Sequence, residues 1–131
     1  MPSIANITVK ASNGTTDVVY VAKSASAGDG VPAVFRNDSL GVSMNQRPEF
    51  RLSFKDSGKN RVGRVTYTYP DLFNTAVAGV YSIGEIPSVI ADFKVPKGAT
   101  TSTLTEFAHQ FGNLMAAVLI KSAVSDGSNL T

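Results

Sequence analysis

The sequence predicts an α+β fold in which C-terminal helices pack on one face of an antiparallel sheet. Two runs rich in β-branched residues flank Asn13 and Gly14, a strong hairpin signal. Apolar and polar residues alternate from Glu49 to Tyr69, as they do in half-buried strands. After Gly98 the apolar residues recur every three and four positions, which is the period of an amphipathic helix. Strands followed by helices are the element order of an α+β domain.

Composition narrows the class of protein before any motif is considered. The chain has 131 residues, which fits a single domain spanning residues 1–131. Its 43% hydrophobic and 17% charged residues are typical of a folded chain. Twelve Lys and Arg against ten Asp and Glu predict no strong bulk attraction to nucleic acid, so the placement of charges must decide that question.

The absence of cysteine removes several kinds of site from consideration. Disulfides, thiolate metal sites and cysteine nucleophiles are excluded. No stretch of about 20 apolar residues occurs, and the N-terminus does not resemble a signal peptide. We therefore expect a soluble protein with no membrane partner.

The first elements are a hairpin and a third strand. The hairpin spans about residues 4–24, with its turn at Asn13 and Gly14. A Gly-containing loop covers residues 25–30, and a short strand follows at residues 31–36, where Pro32 suits the first positions of a strand. The sheet as a whole is expected over about residues 31–95.

The next two strands each have one apolar and one polar, mainly basic face. They are joined by the turn-like residues SGKN. A last strand follows at residues 88–95, with Asp92 and Lys94 on its polar side. The face left without a helical cover carries Arg51, Ser53, Lys55, Arg64, Thr66, Thr68 and Lys94.

Residues 71–87, between the last two strands, are apolar but have no sustained period. A long apolar loop in a small domain usually has a function or lies in an interface. We expect Asp71 to Pro87 to be such a loop and to contact neighbouring subunits.

The C-terminal helices are predicted over about residues 102–125. Ser102 or Thr103 followed by Glu106 resembles a capping box, and Gly112 is a candidate kink. A helix from 102 to 118 is about 25 Å long, enough to cross about five strands. Its apolar positions are Leu104, Phe107, Ala108, Phe111, Leu114, Met115 and Val118.

This order of elements resembles the coat proteins of levivirus-type single-stranded RNA bacteriophages. The closest local similarity is NRVGRVTYTYP, from Asn60 to Pro70, and the resemblance in element order covers nearly the whole chain. It implies an intertwined homodimer in which two sheets join edge to edge and each subunit's helices pack over its partner. It also implies assembly of these dimers, in the bacterial host cytoplasm, into an icosahedral shell around genomic RNA. The expected location of the protein is the virion.

The resemblance further implies specific contact residues. It places RNA on the sheet face opposite the helices, either as packaged genome or as a hairpin that acts as a translational operator. At positions where many relatives carry a stacking tyrosine and a polar base contact, this chain has Ser88 and Ile90. The expected dimer contacts are Phe107, Phe111, Leu114 and Met115. The expected RNA contacts are Arg51, Ser53, Lys55, Asn60, Arg61, Arg64, Thr66, Thr68 and Lys94.

Other interpretations of the same residues stay open. Alternating Arg, Lys, Ser and Thr is most often a solvated sheet face. A cellular RNA-binding dimer that does not assemble is the alternative function, and a small enzyme or ligand-binding domain is a third. His109 is the only histidine and the carboxylates are scattered, so the sequence predicts no catalytic residue, metal or cofactor.

Overall fold

The computed structural model describes residues 2–75, 77 and 79–131, which form two compact units, Met1–Lys94 and Val95–Thr131. The strands are β1 (Ile7–Lys10), β2 (Asp17–Ser24), β3 (Ala33–Arg36), β4 (Glu49–Ser57), β5 (Asn60–Thr68), β6 (Leu72–Asn74), β7 (Tyr81–Ile83) and β8 (Ser88–Pro96). The helices are α1 (Thr101–Ala116) and α2 (Val118–Asp126).

The main sheet has the strand order β1-β2-β3-β4-β5-β8, and its neighbours from β1 to β5 pair antiparallel. The first five strands therefore follow one another in space as they do in sequence. β8 joins beside β5 after the chain has made a separate two-stranded sheet from β6 and β7. The edge strands of the main sheet are β1 and β8. The predicted meander and the predicted fold class are confirmed.

The N-terminal hairpin turns where the sequence predicts it. The Asn13 side-chain oxygen accepts hydrogen bonds from the backbone N–H groups of Thr15 at 3.0 Å and Thr16 at 2.9 Å. Gly14 has a φ of 74°, in the left-handed region that glycine adopts without steric cost. These local bonds satisfy backbone donors that the β1–β2 ladder leaves unpaired.

The apolar face of the sheet holds a cluster of aromatic side chains. Phe35 and Phe50 are cross-strand partners on β3 and β4, and their rings lie 6.0 Å apart. Tyr20 and Tyr67 pack edge to face at 6.1 Å, and their hydroxyls are hydrogen-bonded at 2.7 Å. Tyr20 and Phe35 are both buried, at 9% and 8% exposure.

Residues 71–87 differ from the loop that the sequence predicts. Leu72 pairs with Ile83 and Asn74 with Tyr81, so the segment is largely a hairpin. Two further backbone bonds between residues 71 and 84–85, at 2.8 and 2.9 Å, extend it toward the main sheet. Strands of three residues are too short to establish an alternation, which is why the sequence indicated a loop.

The connection between β3 and β4 is more ordered than its sequence indicates. Asn37 is only 3% exposed, and its N–H donates to the carbonyl of Pro48 at 3.0 Å. A single 3-10 turn, Met44–Gln46, lies within this connection. From it the Gln46 side chain donates to the Tyr81 carbonyl at 3.0 Å, which links the connection to the β6–β7 hairpin.

The two helices form the second unit. Thr100 is the N-cap of α1 and accepts from the Thr103 N–H at 3.3 Å, so the cap lies slightly before the predicted positions. The helix runs through Gly112 without interruption, and the break falls at Ala117, whose ψ is 139°. α2 ends at Gly127, which has a φ of 62°. The predicted C-terminal helices are confirmed, and the predicted kink at Gly112 is wrong.

Candidate nucleic-acid interface

The register of β4 and β5 brings most of the predicted RNA contacts to one face. Directly opposed residues of an antiparallel pair project to the same side of a sheet. Arg51 is opposite Thr66, and Ser53 is opposite Arg64. The predicted residues that share this polar face on the two strands are Arg51, Ser53, Lys55, Arg64, Thr66 and Thr68.

Strand β8 adds its own polar side to the same face. The Arg64 guanidinium donates from Nε to Asp92 Oδ1 at 2.8 Å and from Nη2 to Asp92 Oδ2 at 3.2 Å. Asp92 therefore faces the same side as Arg64. Because side chains alternate along a strand, Ile90 and Lys94 share that side with Asp92.

The residues at the β4–β5 turn are split between the two faces. Asn60 is opposite Ser57 and belongs to the polar side. Arg61 is opposite Asp56 and, by alternation, shares the side of Tyr67. Its Nη2 lies 3.9 Å from an oxygen of Asp29. The structure does not bring Arg61 together with the other predicted RNA contacts, because Arg61 lies three residues before Arg64 on β5 and therefore projects to the opposite face.

The arginines of the polar face are paired with carboxylates. Glu49 contacts Arg51, and it also lies 3.4 Å from Arg36 across the β3–β4 pair. Hydrogen bonding to Arg64 holds the pKa of Asp92 below its usual range, and Asp92 in turn raises the pKa of Arg64. The pairs Arg36–Glu49 and Arg64–Asp92 join different strands, so the sequence did not reveal them.

Two lysines of the polar face differ from these arginines. Lys55 and Lys94 form no hydrogen bond or ion pair with another described residue. Their ammonium groups are accordingly available to an external anion without first losing a protein partner. Of the predicted set, they are the cations best placed to neutralise phosphate.

The polar face offers charge and hydrogen-bonding groups but no aromatic stacking platform. Within the six strands of the main sheet, alternation puts no Phe or Tyr on this side. Ile90 is instead 70% exposed there. A nucleic acid on this face would meet ammonium, guanidinium, hydroxyl and aliphatic groups.

A second surface is the apolar side of α1. No residue of either helix is buried in the single chain, and Phe107 is 47% exposed. Exposed apolar patches of this kind mark contact surfaces. The predicted dimer contacts Phe107, Phe111, Leu114 and Met115 are all exposed.

Other kinds of site have less support in the described residues. They contain no group of three or more His, Cys, Asp or Glu side chains that could hold a metal ion. The His109 Nδ1 lies 2.8 Å from the Thr105 carbonyl one turn earlier in α1, where it forms part of the helix surface. No described helix has the length and apolarity to cross a membrane.

Comparison with known proteins gives structural matches alone. No protein-family model and no curated protein sequence matches the chain. The virus-like particle of bacteriophage NT-214 matches with a TM-score of 0.80 and 18% identity over 99% of this chain and 100% of that one.

Further matches have the same character. The virus-like particle of bacteriophage ESE058 gives a TM-score of 0.77 and 13% identity over 99% of this chain and 100% of that one. The bacteriophage GA protein capsid gives 0.76 and 21% identity over 96% of both chains. The chain therefore has the fold of levivirus-type phage coat proteins.

Proposed function

We propose that this chain is a structural capsid protein of a single-stranded RNA bacteriophage. The observation that supports this most strongly is a match to phage coat proteins that spans nearly all of both chains. The match covers 96–99% of this chain and 96–100% of the matched chains, so the shared architecture includes the sheet, the β6–β7 hairpin and both helices. The proposed unit is a dimer that assembles into an icosahedral shell around genomic RNA.

Dimerisation is proposed to occur through surfaces that a single chain leaves uncovered. Phe107 and Leu114 on the apolar side of α1 are 47% and 61% exposed, and β8 is an edge strand of the main sheet. Exposed strand edges and apolar helix faces both favour association. A second copy would cover the edge with its own β8 and the helix face with its own sheet or helices.

Contacts between dimers are proposed for the β6–β7 hairpin. Its exposed apolar side chains would be unfavourable in water unless a neighbouring subunit covers them. The exposed residues of this segment are Phe73, Val77, Val80, Tyr81 and Ile86.

RNA is proposed to lie on the polar face of the sheet. Lys55 and Lys94 would neutralise phosphates, while Ser53 and Thr66 would hydrogen-bond phosphate or the ribose 2′-hydroxyl. Because these contacts are mainly electrostatic, packaging of genomic RNA is the primary role of the face. Binding of an RNA hairpin as a translational operator is a further role of the same residues.

The test of assembly is electron microscopy of the protein expressed alone, with the ratio of nucleic-acid to protein absorbance of the purified material. Uniform shells of a few tens of nanometres that contain RNA are the expected result. Discrete dimers without shells, across a range of salt and RNA concentrations, would replace the capsid proposal with the non-assembling RNA-binding protein.

The test of the RNA face is the double variant Lys55→Ala, Lys94→Ala. If a wild-type subunit neutralises about three phosphates, the slope of log affinity against log salt is roughly −2, and this variant should reduce it by about 1.4. The control Lys10→Ala, Lys23→Ala removes two positive charges from β1 and β2, outside the strands β4, β5 and β8 that carry the predicted contacts. Equal RNA affinity of the two variants would contradict the proposed location.

A further inference from the structure

The contact between Arg64 and Asp92 joins β5 to β8, which is an edge strand of the main sheet. Two donors of one guanidinium meet both oxygens of one carboxylate, at 2.8 and 3.2 Å. This is the paired geometry that Arg adopts with a carboxylate or a phosphate. Asp92 thus occupies the hydrogen-bonding edge of Arg64 that a phosphate would use.

Both partners remain in contact with water. The Arg64 side chain is 60% exposed and that of Asp92 is 54% exposed. Ion pairs at such exposure contribute little to stability, because water and salt compete with them. A polyanion that approaches the face is therefore able to displace the Asp92 carboxylate without unfolding the sheet.

The cations of the polar face differ in whether a carboxylate of the protein neutralises them. Lys55 and Lys94 have no carboxylate partner among the described residues, whereas Arg64 has one. When RNA binds an unpaired lysine, small cations are released from the RNA and the entropy gain favours binding. When a phosphate replaces Asp92 on Arg64, the carboxylate must be left unpaired near the phosphate, which lowers the gain.

We infer that Asp92 is a built-in counterion of Arg64 that weakens RNA binding to the polar face and reduces its salt dependence. The inference rests on the proposed function, since it assigns a specific residue to the RNA interaction. Asp92 then lowers the affinity of the polar face for RNA. Its role is to hold the interaction with packaged RNA below the strength that the cation content of the face would give.

The variant Asp92→Asn tests this directly, because asparagine has nearly the same shape but no charge. Binding of a short oligouridylate to the purified protein is measured at several salt concentrations, below the protein concentration at which light scattering detects shells. The variant should bind roughly two- to five-fold more tightly at low salt, the range expected for an exposed charge pair. Its slope against log salt should be steeper by about 0.7, equivalent to one more neutralised phosphate.

A matched control is available on the same face. Asp17 contacts Lys10 across the β1–β2 pair, on the polar side but far along the strand order from Arg64. Asp17→Asn removes the same charge and should leave the affinity and the slope unchanged. In an Arg64→Gln background, Asp92→Asn should no longer give the gain.

The possible outcomes separate this inference from the proposed function. No gain from Asp92→Asn, an equal gain from Asp17→Asn, or a gain that persists in the Arg64→Gln background would each overturn the role of Asp92. If Lys55→Ala, Lys94→Ala still weakens binding, the RNA face stands while the counterion role falls. If that double variant binds like wild type, RNA does not lie on this face and both proposals fall.

Discussion

The hydroxyls of Tyr20 and Tyr67 lie 2.7 Å apart, although strands β3 and β4 lie between their own strands in the sheet. Their side chains reach toward each other over the Phe35–Phe50 pair on the apolar face. A flat sheet would hold strands three positions apart at about 14 Å, so the contact requires that the sheet curl toward this face. The tyrosine pair therefore connects the N-terminal hairpin to the strand that carries Arg64.

A double-mutant cycle should detect this hydrogen bond. Tyr20→Phe and Tyr67→Phe should each lower the free energy of unfolding by about 1 kcal/mol, because each leaves the other hydroxyl without its partner. The coupling energy should be about 0.5–1.5 kcal/mol, measured by urea unfolding at one protein concentration. Tyr69→Phe is the control, since Tyr69 is exposed, and should change stability by less than about 0.5 kcal/mol. Fully additive single effects would contradict the coupling.

The same pair predicts a loss of stability in alkali. Burial raises the pKa of Tyr20, with the hydrogen bond to Tyr67 adding to the shift, and burial also raises the pKa of Tyr67. Above the ordinary value of 10.0, the unfolded chain releases these protons while the folded chain keeps them. The free energy of unfolding should therefore fall as pH rises above about 10, by up to about 1.4 kcal/mol per pH unit for each retained proton.

Tyr20→Phe removes one of these titrating hydroxyls. The free energy of unfolding should then fall less steeply with pH above about 10. Urea unfolding at a series of pH values measures the slope, with Tyr69→Phe as the comparison. An unchanged slope in Tyr20→Phe would show that this hydroxyl titrates alike in the folded and unfolded states.

Substitutions at Gly14 and Gly41 should distinguish backbone strain from steric crowding, because the two residues have nearly the same φ but different surroundings. Gly14 has a φ of 74° with open space around a would-be Cβ, while Gly41 has a φ of 71° with that position 2.5 Å from the Gln46 Cβ. Gly14→Ala should cost about 1–2 kcal/mol for the left-handed backbone alone. Gly41→Ala should cost about 1–3 kcal/mol more, because the 3-10 turn must move. If urea unfolding shows equal losses of stability for the two variants, the connection between β3 and β4 moves to accept the added methyl group without an energetic cost.

Gln46 should control the position of the β6–β7 hairpin. Gln46→Glu retains an oxygen for the Val42 N–H, which Gln46 accepts at 2.8 Å, but it loses the donor to the Tyr81 carbonyl. Residues 72–83 should then exchange amide hydrogens faster by mass spectrometry, and the yield of shells should fall. Asn45→Asp adds the same charge one residue away and retains its acceptor for Ser43. Equal exchange in both variants would remove Gln46 from this role.

The apolar side of α1 should contribute to stability only in the dimer. Phe107→Ala should lower the free energy of unfolding by about 3–5 kcal/mol if a second copy buries the ring. The unfolding midpoint of the wild type should also rise with protein concentration. His109→Ala changes a neighbouring helix position and serves as the control. A small cost for Phe107→Ala together with a midpoint independent of concentration would contradict the proposed dimer contact.

The parts of the fold that sequence predicts well are those with a sustained period. Nine-residue strands such as β4 and β5 repeat their alternation enough to fix both faces, and α1 repeats its apolar positions over four turns. β6 and β7 have three residues each and leave no period to detect. The connection containing Asn37 and Gln46 depends on side-chain bonds to distant backbone groups, which no local pattern indicates.

The candidate site was predictable to a similar extent. Alternation placed Ser53, Arg64 and Thr66 on one face, and the register of the two strands agrees. The resemblance placed Arg61 among the contacts at the turn, but Arg61 lies three residues before Arg64 on the same strand, so alternation directs it to the other face. The partnership of Arg64 with Asp92 joins residues that are far apart in sequence, so it required the sheet order.

The position of β8 in the sheet has a consequence for the order in which the protein is made. Strands β1 to β5 pair with their sequence neighbours, so they can form a sheet before residues 88–96 have emerged from the ribosome. During that interval Arg64 lacks Asp92. The nascent sheet therefore displays its cation unmasked, and we expect it to attract the surrounding messenger RNA more strongly than the finished subunit does.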